Sequence, residues 1–187
     1  MGVTARVSTR DLMKAFANRA GGAYSYRFFG FAHRVTWGQG GNEIRLVQRI
    51  AGDAVSGDQA ELVVTADLGG STASDLTIST RTPKPGVITL ALDRRNTSNV
   101  AGGNPAFDRR FACETSTPSQ GAMILGLPML QEQLLAIPLD NINLSIFEYK
   151  GKTRIAFTSR AEGLDGDMLD CIRNLFSIVI THIAGIT

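Results

Sequence analysis

Apolar and polar residues alternate along several short stretches of the chain, which is the pattern of strands that bury one face. Residues 43–50 and 61–68 follow this pattern closely, and residues 75–80 follow it more briefly. Residues 87–92 come after a Pro-Lys-Pro-Gly turn and are predicted to form a further strand. So many short strands at near-regular spacing predict a mainly antiparallel sheet.

Aromatic residues are concentrated in residues 24–37, and both alternating faces of this stretch are apolar. The pattern predicts one strand that is covered on two sides, or one that bends at Gly30. Its Arg-Phe-Phe-Gly-Phe-Ala segment is similar to the RNA-stacking strand of an RNA-recognition module. However, Phe28 stands where that motif has glycine and Arg34 where it has an aromatic residue, so an ordinary aromatic core strand is favoured.

Helices are predicted at both ends of the chain. Ser8 and Asp11 form a capping box at the start of a helix over residues 9–20, and a glycine pair supplies its stop. Residues 165–184 place apolar side chains over about half of a helix circumference, so this helix is expected to lie across a sheet or in an interface. Its apolar residues are Met168, Leu169, Ile172, Leu175, Phe176, Val179, Ile180 and Ile183.

The middle of the chain groups one Asp, two Arg, one Cys and one Glu in residues 107–114, and the alternation there predicts a strand. Thr117 is expected to cap the helix that follows, with Pro118 at its first position. Because proline interrupts a helix, Pro128 should divide or kink the helix over residues 119–136.

Residues 142–149 and 152–158 also alternate and are joined by Lys150-Gly151, which predicts a hairpin. Together the elements predict a single α+β domain that spans residues 1–187. We expect an antiparallel sheet of about six to eight strands, packed by an N-terminal helix, an interrupted middle helix and a long C-terminal helix.

Composition and charge narrow the classes of protein. With 43% hydrophobic and 19% charged residues, the chain has the composition of a folded soluble domain. A net charge of +2 gives no strong field to attract phosphate groups, so nucleic acid is not an expected partner. The N-terminus lacks the apolar core of a signal peptide, and the apolar run of residues 175–186 is too short to span a bilayer. No transmembrane segment is therefore expected.

The candidate chemical residues have ordinary interpretations. Cys113 and Cys171 match no zinc motif, and the pair favours a reducing compartment, the cytoplasm. Cys113 is predicted to be a small buried hydrophobe and His182 a core or interface histidine. Acidic residues at the start of the last helix are expected to stabilise its dipole rather than to bind a metal. Neither a metal site nor a cofactor is predicted.

The C-terminal half combines a Phe-Asp-Arg-Arg-Phe stretch at residues 107–111, a Leu-Gln-Glu-Gln-Leu-Leu helix end at residues 130–135, a hairpin and the apolar helix of residues 169–183. This combination resembles an uncharacterised family of bacterial soluble domains that usually sit behind hydrophobic anchors. The resemblance implies a strand, a leucine-rich helix, a hairpin and a terminal helix, but it implies no catalytic residues. This chain departs from the family because it shows no anchoring segment, so we expect either a soluble fragment or a free-standing relative.

The function predicted first is a non-catalytic binding or protein-interaction domain, with a homo-oligomer formed through the last helix or the aromatic strand. The alternative is a carrier of a small molecule or lipid, with an apolar cavity between the sheet and the C-terminal helix. An enzyme is less favoured, because it requires His33 or His182 beside an acid or thiol in a cleft. The residues expected to bind a ligand are Phe28, Phe31, His33, Trp37, Ile172, Phe176 and His182.

Overall fold

The computed structural model describes residues 8–28, 32–51, 59–70, 75–81, 97–161 and 164–184. Helices in these ranges are α1 Thr9–Arg19, α2 Pro105–Arg110, α3 Pro118–Leu125, α4 Pro128–Ala136 and α5 Gly166–Ala184. Strands are β1 Ala23–Arg27, β2 Ala32–Gln39, β3 Asn42–Ala51, β4 Gln59–Leu68, β5 Leu76–Thr80, β6 Ser98–Asn99, β7 Phe111–Thr115, β8 Ile142–Tyr149 and β9 Lys152–Ala161.

The strands of the described residues form one nine-stranded antiparallel sheet in the order β1-β2-β3-β4-β9-β8-β5-β7-β6. The predicted α+β class, with its N-terminal, interrupted middle and long C-terminal helices, is confirmed. The sheet has nine strands, whereas six to eight were predicted. The aromatic stretch forms two strands and not one, and Ser98–Asn99 adds a short edge strand. The strand predicted at residues 87–92 lies outside the described residues.

The prediction of a single strand over residues 24–37 is wrong. Tyr26 pairs with His33, so the chain reverses direction and β1 lies antiparallel to β2 at one edge of the sheet. Four of the five β1 residues are exposed, so this part of the stretch is not covered on two sides. The alternation of apolar residues indicates which side chains share a face of a strand, but it does not indicate whether anything packs on that face.

The two tight hairpins form where the sequence supplies residues that tolerate positive φ. Gly40 and Gly41 have φ of 56° and 78° between β2 and β3, and Lys150 and Gly151 have φ of 55° and 71° between β8 and β9. Two successive residues with positive φ are typical of the type I′ turn, whose twist matches that of paired strands. The predicted β8–β9 hairpin is confirmed.

Side chains of each strand alternate between the two faces of the sheet. The face that carries the hydrophobic core is called the core face. Helices α1, α4 and α5 contribute to the same buried cluster, and all eight predicted apolar residues of α5 are buried. The other face of the sheet is called the second face below. One row of paired core-face residues crosses seven strands: Val35, Leu46, Val64, Phe157, Leu144, Ile78 and Cys113.

The strand predicted over residues 107–114 is wrong in its first half. Residues Pro105–Arg110 form helix α2, because the side chain of Asn104 accepts hydrogen bonds from the amides of Ala106 and Phe107 and Pro105 occupies the first turn. The strand begins only at Phe111, and there Phe111 and Cys113 share the buried side as predicted. An Asn-Pro pair before an apolar residue is a helix start signal, and it outweighs a short alternation.

The middle helix is divided at Pro128, as predicted, into α3 and α4. The predicted side-chain cap at Thr117 is wrong, since Thr117 makes no capping hydrogen bond. Thr115 takes part instead: its hydroxyl accepts from the amide of Thr117 at 3.1 Å and donates to the carbonyl of Asp75 at 2.5 Å. Strand β7 and helix α3 are thereby joined through a strand residue.

Asp108 and Arg110 hold the loops around α2 and α4. The Asp108 carboxylate accepts from the amides of Gly102 at 2.7 Å and Gly103 at 3.1 Å. The Arg110 guanidinium donates to three backbone carbonyls at the end of α4, those of Leu135, Ile137 and Leu139, at 2.8, 2.8 and 2.7 Å. These two side chains therefore satisfy backbone groups.

Replacing Arg110 should destabilise the fold. In Arg110→Ala, three carbonyls lose a charged donor, and we expect the free energy of unfolding to fall by about 2–3 kcal/mol. Urea unfolding followed by circular dichroism measures it. Arg109→Ala is the matched control, because Arg109 is exposed, and surface changes of this kind stay within about 0.5 kcal/mol. Equal losses in both variants would contradict the role of Arg110.

Candidate functional site

Three of the residues predicted to bind a ligand lie in the packed core. Trp37 is 3% exposed, and its ring packs edge-on against Phe16 of α1 with ring centroids 5.5 Å apart. Ile172 and Phe176 lie on α5 and are completely buried in the same hydrophobic cluster. The structure therefore brings these three together as parts of one core.

Phe28 and Phe31 differ from that group. Phe28 lies in the turn after β1 and is 70% exposed, so it contributes to the surface of the protein and not to the core. Phe31 lies outside the described residues. The predicted aromatic lining is thus not assembled around a single cavity by the residues that the structure describes.

The described residues form two open clefts. Their linings differ from the apolar cavity that was predicted between the sheet and the C-terminal helix. The larger, of about 510 Å³, is bordered by Gly22, Trp37 and Glu43, where α1 meets the edge of the sheet. The smaller, of about 290 Å³, is bordered by Gly103 and Gln131. Glycine and polar residues dominate both linings, whereas ligand pockets are mostly lined by hydrophobic and aromatic side chains.

His33 lies on the core face of β2 among tyrosines. The Tyr24 hydroxyl lies 2.9 Å from Nδ1 of His33, and the Tyr26 ring centroid lies 5.0 Å from that of the imidazole. Burial, and after it the positive charge of Arg10, lowers the pKa of His33 below its ordinary value of 6.5. His33 is therefore neutral at pH 7, and its bonded neighbour is a phenol, not an acid or thiol.

His182 lies in the last turn of α5, half-buried, with Nε2 enclosed and without a hydrogen-bond partner. Cys113 is buried in the sheet, and burial, with a smaller effect from Asp108, raises the pKa of its thiol to about 12. A thiol with so high a pKa is a poor nucleophile at neutral pH. Within the described part of the chain, neither histidine is bonded to a carboxylate or thiol.

The most distinctive polar surface lies on the second face of β1–β4 and β9. It carries six arginines, one of which, Arg154, is paired with Asp67. The other five, Arg27, Arg34, Arg45, Arg49 and Arg160, are called the arginine face. Strand alternation places them there, because their neighbours in sequence point to the core face. The three on β1 and β3 are exposed, and the other two are half-buried.

The sheet register shows how the arginines assemble. Arg27 and Arg49 lie on either side of Ala32 in one row, and Glu61 separates Arg49 from Arg160. In the next row Arg34 lies beside Val47 and then Val63, both of them half-buried. The arginine face is thus a ring of cations around two partly exposed valines.

The positive charges of the arginine face are only partly neutralised. Arg45 pairs with Glu43 at 3.0 Å, but the other four arginines have no ion pair within 4 Å among the described residues. Burial, followed by the charges of Arg27, Arg45 and Arg49, lowers the pKa of Arg34, although the guanidinium stays protonated. The Nε of Arg34 is buried without a hydrogen-bond partner. These arginines repel one another in the free protein.

The second face continues into a buried polar patch over β9, β8 and β5. Ser145 donates to Asn143 at 2.9 Å, and its hydroxyl lies 3.4 Å from that of Thr77. The Asn143 amide nitrogen and the neighbouring Thr158 hydroxyl are buried without hydrogen-bond partners. Buried polar atoms of this kind are commonly satisfied by water.

Part of the arginine face could be predicted from the sequence. The alternation of residues 43–50 already placed Arg45 and Arg49 on the polar side of one strand. Arg27 and Arg34 belong to a stretch that was predicted to be one strand, so their approach to Arg49 and Arg45 required the hairpin to be known. A period-two pattern of arginine around valine in residues 45–49 was the one available signal.

Comparison with known proteins identifies a shared fold but no matching family. No protein-family model and no curated protein matches it. Among solved structures, it is similar to that of the mycobacterial trehalose monomycolate transport factor A, TtfA, with a TM-score of 0.52 and 9% sequence identity. The alignment covers 90% of this chain and 94% of that chain. At this identity the similarity shows a shared fold.

Among the described residues, no three His, Cys, Asp or Glu side chains come together as a group that could hold a metal ion. Nor does that part of the chain contain a helix long and apolar enough to cross a membrane. Both cysteines are free thiols.

The raised pKa of Cys113 predicts slow alkylation in the folded protein. With a pKa of about 12, only about one thiol in ten thousand is ionised at pH 8. We expect iodoacetamide to leave Cys113 unmodified until the protein is denatured, as peptide mass spectrometry would show. The unfolded chain loses this proton near pH 9 whereas the folded one keeps it, so stability should fall as the pH rises above 9. Rapid native labelling of Cys113 would contradict its burial.

Proposed function

We propose that this protein is a non-catalytic binding domain whose arginine face binds an acidic surface of a partner protein. The observation that carries the proposal is the group of arginines on one face of the sheet, four of which have no ion pair among the residues that the structure describes. A partner that brings carboxylates to this face would relieve the repulsion around Arg34 and form charge-assisted hydrogen bonds. Rigid strands hold these side chains, which reduces the ordering that binding requires.

The composition of the arginine face favours a protein over a nucleic acid. Arginine is enriched at protein interfaces and lysine is depleted, and on the second face of β1–β4 and β9 six arginines accompany one lysine, Lys152. Val47 and Val63 offer an apolar centre of the kind that interfaces bury. The free thiols fit the cytoplasm, where we expect such a partner.

The resemblance of the C-terminal half to anchored bacterial domains stays a prediction. It agrees with this proposal, because the resemblance implies no catalytic residues.

Removing charge from the arginine face should weaken binding to an acidic probe. We choose a fluorescein-labelled peptide of alternating glutamate and valine, which can present carboxylates to arginines and valine to Val47. Arg45→Gln with Arg49→Gln should raise the Kd at least about tenfold, or about 1.4 kcal/mol, and added salt should raise the Kd of the unmodified protein. Fluorescence anisotropy measures both.

The matched control is Arg109→Gln with Lys150→Gln, which removes the same charge from exposed residues elsewhere. It should leave the Kd within about twofold. If the control weakens binding equally, net charge and not the arginine face attracts the peptide. Binding of phosphatidylglycerol vesicles without binding of the peptide would identify a lipid surface as the ligand and contradict the proposal.

An apolar carrier is the second candidate function. Its support is the fold shared with TtfA, a protein named as a trehalose monomycolate transport factor. In a carrier, the apolar ligand would lie between the sheet and α5, beside Ile172 and Phe176. Because both side chains are completely buried, entry of the ligand would require α5 to move away from the sheet.

Truncation of Phe176 distinguishes the packed core from a ligand cavity. Because Phe176 is fully buried, we expect Phe176→Ala to lower the free energy of unfolding by about 3–5 kcal/mol. Met129→Ala is the control, since Met129 is 63% exposed, and it should cost less than about 0.5 kcal/mol. A loss below about 1 kcal/mol, together with a palmitate adduct in native mass spectrometry, would support the carrier instead.

A further inference from the structure

The outer edge of β1 is a candidate surface for pairing with another strand. β1 is the first strand of the sheet, so one side of its backbone has no neighbouring strand among the described residues. Tyr26 is 45% exposed, and Phe28 directly after the strand is 70% exposed. An edge strand presents a row of N–H and C=O groups that can accept a further strand.

The hairpin geometry identifies which backbone groups point outward. In a two-residue hairpin the pair that closes the turn, here Gln39 with Asn42, is hydrogen-bonded, and bonded pairs then alternate along the ladder. Odd-numbered residues of β2 therefore bond to β3, and even-numbered ones point towards β1. The Thr36 carbonyl agrees, because its oxygen is the atom nearest to a side chain added at Gly22, on the β1 side.

It follows that Ser25, opposite Arg34, directs its backbone groups to β2. Tyr24 and Tyr26 then direct their N–H and C=O groups away from β2, towards the open edge. The N–H and C=O groups of these two tyrosines supply the donors and acceptors for a short antiparallel ladder.

We propose that two copies of this chain pair through their β1 edges, antiparallel and centred on Ser25. In this register Tyr24 of each copy lies opposite Tyr26 of the other, and these two pairs form four ladder hydrogen bonds. Aromatic residues opposite each other add favourable contacts. Ser25 lies opposite itself in a pair without ladder bonds.

The charges of β1 are compatible with this register. Arg27, the one charged residue of the strand, lies opposite Ala23 of the second copy, so no like charges face each other across the seam. The five-residue strands match each other in length, and the centre of each strand is also the centre of the ladder. This self-complementarity is what a two-fold interface requires.

The dimer would extend the binding surface. A two-fold axis perpendicular to the sheet keeps the second faces of both copies on the same side. The two arginine faces would then adjoin across the seam with one Arg27 on each side of it. Dimerisation stands on the geometry of the β1 edge and does not depend on the nature of the acidic partner.

The first test is sedimentation velocity of the full chain over a range of concentrations. We expect a monomer–dimer equilibrium. Tyr26→Pro removes an outward N–H without removing a bond to β2, and proline is tolerated on edge strands. Tyr26→Thr is the matched control, because it also loses the ring but keeps the N–H. The dimer dissociation constant should be at least about tenfold higher for Tyr26→Pro than for Tyr26→Thr.

The second test locates the seam by disulfide formation. Residues opposite each other in a pair without ladder bonds have Cα atoms about 4.5 Å apart, within the range of a disulfide. Oxidised Ser25→Cys should therefore give a covalent dimer on non-reducing gels. Ala23→Cys should not, because the two Ala23 positions lie about four residues, or roughly 13 Å, apart along the strands.

Three results would overturn the inference: a monomer at all concentrations, equal dimer dissociation constants for both Tyr26 variants, or a covalent dimer from Ala23→Cys but not from Ser25→Cys. Circular dichroism spectra of both Tyr26 variants that equal the spectrum of the unmodified protein would show that they fold. The peptide assay with Arg45→Gln and Arg49→Gln reports separately on the arginine face, so a failure of one proposal is distinguishable from a failure of the other.

Discussion

Helix α5 buries eight apolar side chains against the core face of the sheet, and the organisation of the two faces depends on this contact. Full burial of each such side chain contributes about 1.5–3 kcal/mol before the cost of ordering the chain. With α1 and α4 in the same cluster, the core face is filled. Strand alternation then leaves polar side chains on the second face, where the arginines assemble.

Several polar side chains around the core bond to backbone groups or to each other and hold the loops and helices in place. Arg110 and Asp108 bind carbonyls and amides of the loops that join α2, α4 and the strands. Arg19 at the end of α1 pairs with Asp170 of α5 at 2.9 Å, and Gln39 of β2 donates to Ser177 of α5 at 3.0 Å. These contacts fix the helices over the sheet, so the second face is held by a rigid support.

The core is filled, whereas the arginines of the second face are exposed or half-buried. The thiol of Cys113 is protonated within the sheet, and His33 is neutral beside a tyrosine hydroxyl. Four arginines of the arginine face have no ion pair among the described residues, and within those residues the outer edge of β1 has no neighbouring strand. The arginine face and this edge adjoin at Arg27, so the second copy and the acidic protein proposed above would occupy neighbouring parts of the same sheet.

The sequence by itself determined the type and position of most elements: the capped α1, the division at Pro128, the β8–β9 hairpin and the apolar side of α5. Each of these signals is local, since proline, glycine and side-chain periodicity act within a few residues. Alternation predicts a strand over residues 107–110, but the Asn104-Pro105 start signal outweighs it and these residues form part of α2.

The candidate site needed the tertiary structure. Arg45 and Arg49 could be placed on one face of β3 from sequence, but their approach to Arg27, Arg34 and Arg160 depends on strand order and register. Likewise, apolar alternation could not show whether Trp37 and Phe176 line a cavity or fill a core. Pairing between distant strands is set by the packing of the whole chain, and that non-local packing decided which side chains of this protein meet.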